Sequence, residues 1–443
     1  MPDLSGSPAN SAETLRVRVG TCLFLAISIY YWIPFHSFVD LTKESLLEPG
    51  GDNSSRLNQI VALLLFAGAS CYGVLHPMRR GLMQPRVLLA VLLLWVLFAC
   101  LVSAHPANGI KAIILTTMVA VNANVYLLLP ANERHFAKML AISTLVMLAV
   151  AYYGVLFKPL LSIHQANEVL EPMHAGLWRG HFRHKNEAAV AMVLASFLGL
   201  YVLHRWSKLV GVTIVGLAFF FLIHTGGKTS TAMLPGILLL AWLFERVRLL
   251  RIPIAIGGVA LFNLFAVGSA VFRPLGEFVT SLGIDATFTN RADVWRFAFS
   301  VIAEQPFIGR GFKAFWQTEE VVFSGGGIET WAVRAAHAHN SYLETLLVIG
   351  IPGLILTLLW LVVLPLYHIS RIPPARQHSD LTRLFLRIWL YSIYSASLEA
   401  FFFDGPNVLW FTLLFAICGL RLQSSAALAT EPRPLAQRMV AHA

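Results

Sequence analysis

Apolar residues run along this chain in long blocks, separated by short polar stretches. A helix that crosses the hydrocarbon core of a bilayer needs roughly 20 mostly apolar residues. Twelve blocks approach that length, at about 17–37, 58–76, 86–104, 110–129, 137–157, 187–203, 209–224, 229–245, 252–272, 342–367, 384–402 and 407–422. No sequence repeat and no soluble domain stands at either end. The pattern predicts an all-α, polytopic membrane protein of about 12 transmembrane helices. Residues 1–16 read as a polar, unstructured tail, 17–424 as the transmembrane domain and 425–443 as a second tail. Two interruptions are longer than the rest, at 158–186 and 273–341. Inside the second, Val294, Phe297, Ala298, Val301 and Ile302 recur at the spacing of one helix face. They predict an amphipathic helix, its apolar face against lipid or the bundle. Asn290 is placed to cap it, with Asp293 at its third position in a variant capping box. Pro306 and Gly309 are placed to stop it.

Composition agrees with a chain solvated by lipid. Only 13% of residues are charged and 57% are hydrophobic, where soluble domains carry about 25% charged residues. The four cysteines lie within apolar blocks, with no neighbour at metal-ligand spacing, and read as small buried hydrophobes. The first block follows Arg16 and Arg18 and lacks a small-residue cleavage site, so it reads as a retained span.

Charge sets the orientation. With the N-terminus inside, inner segments hold eighteen Lys and Arg residues and the short outer loops hold four. That asymmetry puts both termini in the cytoplasm. The two long outer segments break the pattern with ten further basic residues. Long outer loops tolerate such charge, so tolerance is one reading; an anionic partner on the outer face is the other.

The candidate chemistry gathers in those segments. Arg179, His181, Arg183, His184 and Lys185 crowd the outer mouth of the sixth block, and Glu187 alone cannot balance them. Several cations around one anion suit phosphate. Arg291 falls in the first turn of the amphipathic helix, where exposed amides and the helix dipole favour an anion. The plainer reading is that Arg291 and Arg296 snorkel to headgroups. Arg310 and Arg334 add charge to the same loop, and Ser324 to Gly327 form a glycine-rich tip. His337, His339 and Asn340 follow, just before a long span. A histidine there is ordinarily a polar anchor, but His339 among cations would stay neutral and could take a proton from a hydroxyl. The His-x-His spacing lacks an Asp or Cys partner, so no metal and no cofactor are expected.

Gly226-Gly227-Lys228-Thr229 resembles the end of a nucleotide-binding P-loop. The pattern needs a glycine where Leu222 stands, and the preceding run is a membrane span. Lys228 is therefore either an interfacial anchor or one more outer cation.

Four segments resemble the O-antigen ligase and polymerase superfamily: "FRHKNEAA", "GGKTSTAML", "RADVWRFAFSVIAEQPFIGRGFKAFW" and "HAHNSYLETLLVIGIPGLIL". They cover about residues 175–365. The resemblance implies a GT-C-like, metal-independent inverting glycosyltransferase. It would move a glycan from undecaprenyl pyrophosphate to an acceptor sugar hydroxyl at the periplasmic face of the bacterial inner membrane. Carried over by motif, Arg183 and Arg291 bind the pyrophosphate and His339 is the base. Lys228, Lys185, Arg310 and Arg334 would add positive charge for that phosphate, with His337, His184 and Asn340 as secondary candidates. Lys228-Thr229-Ser230 and His184-Lys185-Asn186 are more like exopolysaccharide polymerases than ligases, so the acceptor reads as a growing glycan. A ligase acting on a lipid A core is the alternative. A flippase for lipid-linked glycans is a further one, against which the span centres are nearly free of charge. A scaffold without chemistry leaves the histidines and arginines unexplained. The partners implied are the lipid-linked glycan, its acceptor and membrane lipids, not nucleic acid.

Overall fold

A computed structural model describes residues 8–43, 56–77, 79, 86–169, 172–283, 291–323 and 331–425. The fold is all-α. The helices are α1 (Pro8–Trp32), α2 (Arg56–Leu75), α3 (Val87–Leu101), α4 (Pro106–Tyr126) and α5 (Glu133–Phe157). After a long connection come α6 (Lys185–Arg205), α7 (Lys208–His224), α8 (Lys228–Arg246) and α9 (Arg248–Val271). The second long segment holds α10 (Arg273–Ser281) and α11 (Arg291–Glu304). Then follow α12 (Ser341–Arg371), α13 (Asp380–Ser395) and α14 (Val408–Ser425). Among the described residues, eight helical stretches are long and apolar enough to cross a membrane, and α3 and α7 are shorter apolar helices. Each of the twelve predicted blocks overlaps a helix, but α8 and α13 are not among these ten. No strand forms among the described residues, which hold one isolated bridge, Ile163 to Trp178.

The bundle closes around α6, whose spanning window is 78% buried. Its Ala188, Ala189, Ala191 and Ala195 are buried and leave room for neighbours to approach. Side chains cap several helices: Asn132 accepts from the His135 N–H at α5, Ser207 from Val210 at α7 and Ser379 from Thr382 at α13.

Three elements differ from the pattern. The first helix starts at Pro8, inside the stretch read as a tail. The block read as a span over 384–402 stops being helical at Ser395, and residues 396–407 fold back into the bundle. An apolar run with Phe401, Phe402 and Phe403 looks like helix, but those rings pack into the core from a loop. Irregular backbone at this depth persists only where its polar groups find partners. Here the Ala396 carbonyl accepts from the Ser341 N–H, Ser397 from Asn340, Leu398 from Arg291, Glu399 from the Ser341 hydroxyl and Phe403 from Thr116.

The third is α12, which kinks at Gly350, where φ is +67°. Pro352 has no N–H, so the carbonyl of Val348 loses its helical donor. The segment after α11 repairs the gap. Arg310 N–H donates to Leu347 at 2.9 Å and Gly311 N–H to Val348 at 2.9 Å. Trp95 Nε1 donates to Ile349 at 2.8 Å, and the Ile351 N–H turns to Pro306. A Cβ on Gly350 would sit 2.1 Å from the Phe307 carbonyl oxygen, so the crossing requires glycine. The amphipathic helix α11 lies against the bundle, with Val294, Trp295, Ala298, Val301 and Ile302 buried. Phe297 is only partly buried, and Trp295 takes the deeper place. Asn290, the predicted cap, and the Ser324 to Gly327 tip lie outside the described residues. Asp293 pairs with Arg296 at 2.5 Å, and Arg296 also donates to Ala270 at the end of α9.

Candidate functional site

The folded-back loop 396–407 and the start of α12 are held by one asparagine. Asn340 caps α12, its Oδ1 accepting from the N–H groups of Tyr342 and Leu343, each at 2.9 Å. Its Nδ2 donates to Asn263 Oδ1 and to the Ser397 carbonyl, each at 2.8 Å. Asn263 in turn donates to Ser397 Oγ at 2.7 Å. It ends an α-helical turn just before a π-helical stretch of α9, and its Nδ2 also donates to the Val259 carbonyl at 2.9 Å. Asn340 is therefore a joint between three elements.

Next to that joint stands His339, with φ of +49°. A non-glycine residue in the left-handed region is strained by about 1–3 kcal/mol, and such residues cluster at functional sites. The strain is held by a clamp on the preceding peptide. The N–H of Ala338 donates to Glu344 Oε2 at 2.8 Å, and its carbonyl accepts from Trp295 Nε1 at 2.9 Å. Trp316 Nε1 donates to the same carboxylate at 2.8 Å and 3.0 Å. His337 and His339 flank this fixed peptide with ring centroids 4.2 Å apart. His337 Nδ1 accepts the His339 N–H at 3.2 Å, so its proton sits on Nε2. Burial pushes the His337 pKa down to about 4. Burial also holds His339 well below its ordinary value, with further lowering from His337, Arg291 and His184. Both rings are neutral at neutral pH, and a neutral imidazole can accept a proton.

Arg291 reaches this place from the first turn of α11. It donates to the Leu398 carbonyl at 2.5 Å and pairs with Glu399 at 3.0 Å. Its side chain is 14% exposed, so it is a strut of the loop as well as a charge beside His339. Lys313 pairs with Asp404 at 3.4 Å, and Asp404 holds that ammonium above its ordinary range.

The basic mouth of α6 faces the same cluster. The charge of His184 acts on His339, and Glu187 lies within electrostatic reach of Arg183, His184 and Asp404. His184 caps α6, its Nδ1 accepting from Asn186 at 3.1 Å. The N–H of Lys185 donates to His164 Nε2 at 3.2 Å, which leaves the His164 proton on Nδ1, 2.7 Å from Glu168 Oε2. His164, His174 and His184 meet edge to face with centroids 5.4–5.7 Å apart. Among the described residues no group of three or more His, Cys, Asp or Glu is placed to hold a metal ion. Arg179 and His181 belong to the scaffold. Buried Arg179 donates to the carbonyls of Phe182 and Val39, and buried His181 lies 3.4 Å from the Trp32 carbonyl.

Lys228 is exposed at the first position of α8. Gly226 turns the chain with φ of +60°, and a Cβ on Gly227 would lie 2.6 Å from that of Ala189. This contact seats the turn on α6, about one helical turn beyond Lys185. Arg310 pairs with Glu304. Arg334 ends the short helix Trp331–Arg334, and its side chain lies outside the described residues.

Sequence reasoning missed Asn263, Trp295, Trp316 and Lys313 as parts of the site. It gave no role to Glu344, Glu399 or Asp404. The polar letters of "SASLEAFFFDGPN" were the available signal for a loop inside an apolar block.

The fold and the site together define a multi-pass membrane protein with a histidine- and arginine-bearing centre at one end of its helices. Residues 191–358 match the model of the O-antigen ligase family (Wzy_C), which supports the O-antigen ligase/polymerase superfamily. Members of that family are membrane glycosyltransferase-like enzymes, ligases or polymerases. The matched stretch runs from within α6 to Leu358 of α12 and holds Lys228, Arg291, His337, His339 and Asn340. No curated protein matches the chain.

Proposed function

We propose that this chain transfers a glycan from undecaprenyl pyrophosphate to an acceptor sugar hydroxyl, with inversion, and extends a polymer from repeat units. The observation that carries this reading is a neutral His339 held by a clamped peptide beside Arg291 and the basic mouth of α6. His339 takes the proton of the acceptor hydroxyl as its oxygen attacks the anomeric carbon. The bond from that carbon to the phosphate oxygen breaks, and the pyrophosphate leaves with the electron pair. General-base help of this kind is worth about 10²–10⁴ in rate. Arg183, Lys185, Lys228 and Arg291 stabilise the leaving pyrophosphate, as donors aimed at developing charge do. Arg310 and Arg334 contribute to the outer basic rim.

The choice of a polymerase rests on Lys228-Thr229-Ser230 and His184-Lys185-Asn186, which resemble polymerase motifs. The excess of Lys and Arg in the inner loops supports cytoplasmic termini and a periplasmic site in a bacterial inner membrane. Reconstitution in liposomes with a lipid-linked repeat unit tests the whole reading. A ladder of products without added acceptor is expected. A single shifted product that requires a lipid A core would make the chain a ligase. Transport of the lipid-linked glycan with no transfer would overturn the enzyme reading.

A further inference from the structure

The helix ends opposite His339 enclose a cavity of about 400 Å³ between α3, α4, α12 and α14. Its mouth carries Arg86, Asn124, His368 and Arg421, and its wall includes Trp360 and Leu414. None of its lining residues is acidic. Arg86 donates to Asn124 Oδ1, which draws the guanidinium inward over the mouth. Arg86 and Arg421 lie within reach of each other's charge, and both act on His368. All three side chains are half-buried. An arginine that merely anchors a span points out to headgroups; these two converge on a shared space.

We propose that this cavity binds the phosphate headgroup of an anionic phospholipid, with the start of its acyl chain along the apolar wall. Two guanidinium groups match phosphate geometry. The volume falls in the usual range for a small-molecule site, about 300–1,000 Å³. A polar mouth above an apolar wall suits an amphiphile better than a free anion. The site is distinct from the His339 cluster, which lies at the opposite end of α12 from His368. If the termini are cytoplasmic, this end meets the leaflet whose anionic lipids attract basic groups.

The test uses the full chain in nanodiscs of phosphatidylcholine with a minor fraction of phosphatidylglycerol, read by native mass spectrometry. Wild-type protein should retain phosphatidylglycerol over phosphatidylcholine by roughly tenfold, about 1.4 kcal/mol. The double variant Arg86→Gln/Arg421→Gln should lose that preference, while Arg371→Gln, outside the cavity, should keep it. Ala120→Phe narrows the cavity without touching either arginine and should also lose it, which guards against misfolding of the double variant. Equal retention by wild type and both cavity variants would overturn the site. Displacement of the lipid by millimolar inorganic phosphate alone would overturn its assignment to a lipid.

Discussion

His339 is defined by what surrounds it more than by its own chemistry. Its imidazole lies well below the ordinary pKa because burial and neighbouring cations disfavour the charged form. The neutral form is the active one for a base. The acid limb of the pH profile of kcat/KM should therefore lie well below 6.5, and a midpoint at or above 6.5 would remove His339 from that role. Glu344 acts through Ala338. Glu344→Gln turns one acceptor into an amide donor facing the Trp316 indole or the Ala338 N–H. Transfer should fall at least about tenfold in kcat with KM nearly unchanged, since the donor-binding cations are untouched. A loss confined to KM would argue that Glu344 binds substrate. At this scale the sequence singled out His339 as a candidate, because a histidine pair before a long apolar block is conspicuous. The clamp stayed hidden, since an indole N–H has no sequence signature and Trp295 sits 43 positions from the carbonyl it serves.

Among the elements, the apolar blocks were legible because each needs the length of a bilayer and little else. What the pattern could not separate was helix from buried loop. The stretch after Ser395 mixes polar residues with three phenylalanines, and Asn340, Ser341 and Arg291 take its carbonyls from about 50 to 110 positions away. The kink of α12 is a similar case. Gly350 and Pro352 announce a break, but not the Arg310–Gly311 segment that fills it. Gly350→Ala places a methyl group against the Phe307 carbonyl in a left-handed conformation. It should destabilise the protein by at least about 2 kcal/mol. Thermal unfolding in detergent should show a lower midpoint; an unchanged one would mean that the crossing is looser than described.

For the molecule as a whole, proton linkage sets the conditions in which this bundle holds together. His164, His181, His337 and His339 lie outside the spans, and burial holds each below its ordinary value. The unfolded chain then binds more protons than the folded one below about pH 6.5, so stability is complete above that value and falls as pH drops. Fully buried His181, pushed to about 4, would alone account for roughly 2 kcal/mol lost between pH 7 and pH 5. Unfolding midpoints measured across that range should decline steadily, and a flat profile would show that the rings are solvated. The match to the O-antigen ligase family covers residues 191–358, which hold three of the four motif segments; "FRHKNEAA", with Arg183, His184 and Lys185, lies before it. The match stops short of the loop after α13, which completes the site by contacts between distant parts of the chain.

That loop has a consequence for biogenesis. A ribosome releases α11 and His339 into the membrane before it has made Leu398 and Glu399, the groups that hold Arg291 in place. Until the last helical hairpin inserts, Asn340 lacks the Ser397 carbonyl and Ser341 lacks the Ala396 and Glu399 carbonyls, and this end of the bundle is unassembled. On the proposed function, the order of synthesis acts as a safety catch: an unfinished chain lacks the loop that completes the candidate site.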